Sequence, residues 1–223
     1  MRYASFVLLA LCLLATAAAP QRTGAVARAP DLPLFSDARL SNALGHFDAR
    51  PGAWVEYAVL PKKGPQTRLR IGVLAPALPD GRYWLEIQSQ QPGALPVAMK
   101  MLLHGEPGLR ENLEKIYLLV EGLAPMELPL DELPAEEKPP EGPAPKVAPR
   151  GPQELKLAIG TFRCEELRVK DARVFRSGQV PLWGLVREVD SAQRIELVGY
   201  GSTGAASVFP AEFDQGSGKE SVK

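Results

Sequence analysis

Histidine and cysteine are scarce: the 223 residues hold two of each. His46 and His104 form no HExxH pair, and neither stands beside a cysteine cluster. A zinc site needs four ligands, or three and a water. His104-Gly105-Glu106 offers two groups with nothing nearby to complete a set, so no metal and no other cofactor is expected. Cys12 lies in the first apolar run, which leaves Cys164 alone and excludes an internal disulfide. Excess charge is also missing. Lys plus Arg and Asp plus Glu number 26 each, so no basic field would attract nucleic acid or an anionic membrane surface. No GxSxG elbow or SxxK motif occurs, and no carboxylate pair is singled out by spacing.

One apolar run does stand out. Arg2 precedes Phe6 to Ala15, and Thr16-Ala17-Ala18-Ala19-Pro20 follows. A positive charge, a short apolar stretch and small residues at the cut make a secretory leader over residues 1–19. Cleavage after Ala18 suits the small-x-small rule, whereas a cut after Ala19 would set Pro20 beside the scissile bond. The run is too short to remain as an anchor. Leu9-Ala10-Leu11-Cys12 departs from a lipobox because Leu11 is large and Cys12 sits inside the run. The expected location is periplasmic or secreted, with no integral membrane span in the mature chain.

Residues 20–33 are rich in Ala, Arg and Pro and read as a flexible lead-in. Ser36 is a candidate cap for a short helix carrying Leu40, Leu44 and Phe47 on one side. From Trp54 the period changes to two. Val55, Tyr57 and Val59 share one face, and Trp54, Glu56 and Ala58 the other. Leu69, Ile71 and Val73 follow a turn at 61–65; Tyr83, Leu85 and Ile87 follow Asp80-Gly81; Val97, Met99, Met101 and Leu103 follow Pro92-Gly93. Four alternating runs parted by Pro/Gly turns predict an antiparallel meander. Leu109, Leu113, Ile116, Tyr117 and Val120 also fit a helical stripe. The neighbouring strands favour a turn near Pro107 to Asn112 and then a strand.

Nine of the 22 prolines fall between Pro125 and Pro152. This segment predicts a polyproline-like loop over about residues 131–152, solvated rather than a partner motif. Alternation returns at Leu155, Leu157 and Ile159, which Gly160 to Cys164 continues or bends. It runs on through Leu167, Val169, Val174, Phe175, Leu182 to Val189, Ile195 and Leu197. Neither half closes a core alone, so one β-domain over 34–214 is expected, with a disordered tail at 215–223. The predicted fold class is mainly β, a curved antiparallel sheet or half-barrel with few short helices.

Two motifs invite chemistry. Gly199-Tyr200-Gly201-Ser202-Thr203-Gly204 matches GxGxxG, yet no helix or second strand of a βαβ unit follows, so it reads as a glycine-rich turn. Cys164 would be a nucleophile only beside a base and with a lowered pKa. A buried thiol on a strand is the simpler reading. The remaining functional reading is a concave apolar face holding an acyl chain or apolar peptide, lined by Trp54, Trp84, Met99, Met101 and Trp183. The plain alternative is that these side chains fill an ordinary core.

The segments Ile159-Gly160-Thr161-Phe162-Arg163-Cys164, Val174 to Val186 with its Val180-Pro181-Leu182-Trp183-Gly184-Leu185-Val186 core, and Leu197 to Ala205 carry a resemblance. Fainter echoes occur at Trp54-Val55-Glu56-Tyr57 and Met126-Glu127-Leu128-Pro129. The chain resembles exported proteins of Gram-negative bacteria with a GTF…VPLxGLV…YGxTGA pattern. Those resemble the periplasmic lipoprotein carriers of the LolA/LolB-type fold. The resemblance implies a curved sheet with helices or loops across its concave side. This sequence offers few helices for that cover, and lipoprotein carriage is not carried over. The resulting expectation is a non-enzymatic periplasmic protein binding a lipid or other apolar ligand on a concave sheet. The alternative is a structural or interaction module of the cell envelope docking a protein partner. A hydrolase using Cys164 with a histidine stands third.

Overall fold

The structure, a computed structural model, describes residues 46–107, 109–132, 148–169 and 171–213. The leader, the lead-in, the helix expected to begin at Ser36 and the tail at 215–223 lie outside the described residues. Within them, eleven strands form a single antiparallel sheet. They are β1 (Trp54–Pro61), β2 (Thr67–Val73), β3 (Tyr83–Gln90), β4 (Val97–Leu103), β5 (Leu113–Val120), β6 (Met126–Glu127), β7 (Ala148–Leu157), β8 (Gly160–Val169), β9 (Ala172–Arg176), β10 (Leu185–Val189) and β11 (Gln193–Gly201). Among the described residues, helix is confined to three short 3-10 turns, Arg110–Asn112, Leu130–Glu132 and Ala211–Phe213. The expected turn before β5 is the first of these.

Across the sheet the strands run β6-β5-β4-β3-β2-β1-β11-β10-β9-β8-β7. The chain starts in the middle, meanders outward to β6, re-enters at the opposite edge and meanders back until β11 pairs with β1. The sheet is therefore not closed: β6 and β7 are its two edges. Its two halves are joined by the long-range β1–β11 ladder, which makes one sheet of the segments on both sides of the proline-rich stretch.

Period-two alternation sets which side chains share a face. Register then lines them into rows across the strands. One row on the inner face is Val55, Ile71, Ile87, Met99 and Leu118. Its neighbour is Val73, Leu85, Met101 and Ile116. These residues belong to one buried cluster that extends through Leu197 and Ile195 to Val174, Cys164 and Phe162. Burying each large apolar side chain contributes about 1.5–3 kcal/mol, so this face holds most of the stabilisation.

The sheet is strongly curved. β3 and β10 are four strand spacings apart, about 19 Å on a flat sheet at ~4.8 Å each. The ring of Phe47 nonetheless meets Tyr83 of β3 at 5.8 Å and Trp183, two residues before β10, at 4.7 Å between centroids. Register shifts between Glu56 and Tyr57 on β1, and between Leu185 and Arg187 on β10, mark bulges that sharpen such a bend.

Two boundaries differ from the sequence reading. Residues 148–152 belong to β7, although the proline-rich loop was expected to reach Pro152. Pro149 and Pro152 are tolerated because β7 is an edge strand, where a missing N–H leaves no neighbour unpaired. The stretch 155–164 is a hairpin: Ala158 and Ile159 form the turn, and Leu155 pairs with Phe162. Residues 133–147, the centre of the expected loop, lie outside the described residues.

Candidate functional site

Met99 and Met101 stand side by side on the inner face and are almost fully buried. Trp183 reaches the same cluster from the loop between β9 and β10. That loop is tightly held. Leu182 lies at φ 63°, an uncommon place for a branched side chain. Its carbonyl accepts a hydrogen bond from the Asp48 amide at 2.9 Å, and Gly184 donates to Pro181 at 3.3 Å. Gly184 is required here: a Cβ would lie 2.9 Å from the Ser177 carbonyl, at φ 72°. The Arg176 Nε donates to the Trp183 carbonyl at 3.2 Å. Pro181 and Gly184 thus bend the chain between β9 and β10, and the bend fixes Trp183 against Phe47.

Trp54 and Trp84 are on the other side of the sheet. The Trp54 indole lies over the glycine-rich end of β11; a Cβ on Gly201 would come within 2.5 Å of its Nε1. The GxGxxG match is thus the bed for an indole. Trp54 Nε1 donates to the Thr203 carbonyl at 3.0 Å, and the Arg70 guanidinium stacks 3.9 Å above the ring. Trp84 is buried with Leu74, Leu102 and Tyr117 beneath the segment 205–213. The five side chains expected to line one concave face therefore divide: Met99, Met101 and Trp183 share the inner face, and Trp54 and Trp84 share the outer one.

The outer face holds what sequence reasoning missed. Glu86 and Lys100 are directly opposed on β3 and β4, and both are buried. The segment 205–213 crosses above them as a strap. Glu86 accepts hydrogen bonds from the Ser207 hydroxyl at 2.6 Å, the Val208 amide at 3.0 Å and Gln88 Nε2 at 2.8 Å. The Lys100 Nζ lies 5.0 Å from the Trp84 ring and 5.7 Å from Phe209. Phe213 meets Tyr117 edge-on at 5.3 Å. Buried charges persist only where hydrogen bonds and opposite charge replace water. The one sequence signal was the pair of phenylalanines in an otherwise polar C-terminal stretch.

Beside the strap runs a groove of about 540 Å³. Its floor follows one cross-strand row, Glu56, Arg70, Gln88, Ala98 and Leu119. Arg68 and Glu56 pair at 2.6 Å, and Arg70 approaches Glu56 at 3.7 Å. A second cavity of about 450 Å³ lies between β8 and the Trp183 loop, with Cys164 and His46 in its lining. This brings the candidate nucleophile and one histidine to one space. The chemistry is not activated: burial raises the Cys164 pKa despite the opposing pull of Arg187, and the thiol faces the Phe162 carbonyl at 3.7 Å. His46 is exposed and paired with Glu106. His104 sits exposed just past the end of β4, where its amide donates to the Asn112 carbonyl at 2.9 Å.

Among the described residues no three His, Cys, Asp or Glu side chains gather as a metal set. No helix among them is long and apolar enough to cross a membrane. Compared with known proteins, the chain matches no family model and no curated protein.

Proposed function

We propose that this chain is a non-enzymatic protein of the periplasm that takes a lipid or another apolar ligand on the inner face of its curved sheet. The observation that carries this reading is a largely apolar face that runs from β5 to β8, interrupted on β10 by the buried Glu188, on a sheet that does not close. The unclosed sheet keeps two free edges, β6 and β7, and a ligand reaches the inner face past one of them. Met99 and Met101 supply adaptable side chains on that face, and Trp183 supplies a large amphipathic one. The resemblance of 159–164, 174–186 and 197–205 to exported proteins of the lipoprotein-carrier type points the same way. Native mass spectrometry of protein purified from its own periplasm tests the reading. A co-purifying lipid, lost when Met101 is changed to Glu, supports it; an intact fold with no bound lipid overturns it. Sequencing the mature N-terminus tests export, with a start at Ala19 expected.

A second reading is favoured by the near-complete burial of the inner-face side chains. Packed that tightly, the inner face is a plain core, and the protein is an interaction module of the cell envelope. Such a module would dock by a face, because β6 is only two residues long and β7 carries Pro149 and Pro152 along its free edge.

A further inference from the structure

The groove on the outer face is independent of the inner-face reading, and its charge layout is specific. The β1–β2 end carries Arg68 and Arg70, which share a single carboxylate, Glu56. A guanidinium presents five donors, so one carboxylate shared by two guanidiniums does not use them all. Arg68 is 60% exposed along its side chain. The middle of the floor is apolar, Ala98 and Leu119, and the side of the groove is the strap residue Val208, itself half exposed. The far end carries Glu121, which follows β5 and is exposed. Cations at one end, a carboxylate at the other and an apolar bed between form a dipolar slot.

We infer that this groove binds a short extended peptide with free ends, its carboxylate on Arg68 and Arg70 and its ammonium on Glu121. The dimensions agree. β2 and β5 are three strand spacings apart, about 14 Å at ~4.8 Å each. An extended chain advances about 3.3–3.6 Å per residue, so four residues span the slot. The volume suits a small-molecule site, for which 300–1,000 Å³ is the usual order of size, about the range this groove falls in. Apolar side chains of the peptide rest on Ala98, Leu119 and Val208. Gln88 and Gln90, which also line the groove, face its main chain. A simple fatty acid matches one end and leaves Glu121 facing its tail, so the opposite charges favour the zwitterion.

Isothermal titration of the purified protein with the peptide Ala-Leu-Leu-Ala tests this. Saturable binding is expected. C-terminal amidation and N-terminal acetylation should each weaken it by about threefold, the size of an exposed ion pair, and both together by about tenfold. Arg68→Gln should reproduce the first loss and Glu121→Gln the second. Both substitutions are at exposed side chains, and an unchanged urea midpoint confirms that each variant folds. Binding of the doubly blocked peptide equal to that of the free one overturns the proposal. So does absence of saturation up to about 10 mM. Decanoate binding more tightly than the peptide, with no response to Glu121→Gln, also overturns it and assigns the groove to an amphipathic acid. None of these outcomes depends on whether lipid occupies the inner face.

Discussion

The two faces of the sheet are made by the same strands and stabilised by different means. The inner face is mostly a set of apolar rows that alternation generates, with Glu188, buried opposite Ile195 and Val174, as its charged exception; there the Tyr57 hydroxyl donates to the Leu185 carbonyl at 3.1 Å. The outer face is mixed. Charged ladders such as Arg187–Glu196, at 2.7 Å, are half-buried, while Glu86 and Lys100 are fully buried under a strap from the far end of the chain. An inner-face contact needs only correct register. The outer cluster needs a segment more than 100 residues away to return and cover it. The inner face is therefore expected to respond to mutation as a cooperative core, and the outer cluster as a local unit that can open by itself.

Ile71→Ala tests the first half of that contrast. It removes a fully buried side chain from the middle of an inner row, and a loss of about 4 kcal/mol is expected in urea unfolding. A loss below about 1 kcal/mol would show an inner face that is loosely filled. Phe209→Ala tests the second half. The strap loses its ring over Lys100 and Trp84, but it can detach without unfolding the sheet, which limits the cost to about 2 kcal/mol. Hydrogen exchange should rise at 205–213 and stay unchanged at Val55 and Ile71. Equal rises on both faces would merge the two regions into one cooperative unit.

A smaller effect sharpens the contrast by pH. Arg173 Nε, at 2.8 Å, and Gln153 both donate to the Glu166 carboxylate, and the Arg173 bond chiefly holds its pKa below the usual value. A depressed carboxylate stabilises the fold above its unfolded-chain pKa, about 4.3, and loses that contribution as pH falls through the folded value. The urea midpoint should fall more between pH 5 and pH 3, roughly this window, in the natural protein than in Glu166→Gln. Parallel slopes would remove Glu166 from the account. The smallest test concerns Cys164. Its burial and raised pKa predict that, in a chain beginning at Ala19, the thiol reacts with a disulfide reagent only after urea is added. Rapid reaction in the folded protein would reopen the cavity it shares with His46.

Much of the inner face was legible because period two is a local property. Each of the first four strands was read with its inward residues correct, from Val55 through Leu103. At 113–120 the apolar spacing also fitted a helix, and the neighbouring strands and the resemblance together favoured the strand that the structure shows. The lining set was less legible. Trp54 and Trp84 lie out of phase with Met99 and Met101 in their own strands, and aromatic character outweighed phase in grouping them. The edge strand over 148–152 was hidden by its prolines, which forbid a central strand but not an outer one.

Sequence by itself determined the β class, the positions of most turns and which residues of each strand face together. These follow from side-chain alternation and from backbone needs met within a few residues. Only the tertiary structure decided that β1 and β11 join the two halves, that Gly201 makes room for Trp54, and that the strap buries Glu86 and Lys100. Each of those contacts links residues more than 100 positions apart. Local propensity carries no information about such partners, because their pairing is set by the shape and charge of surfaces that exist only after the chain has folded.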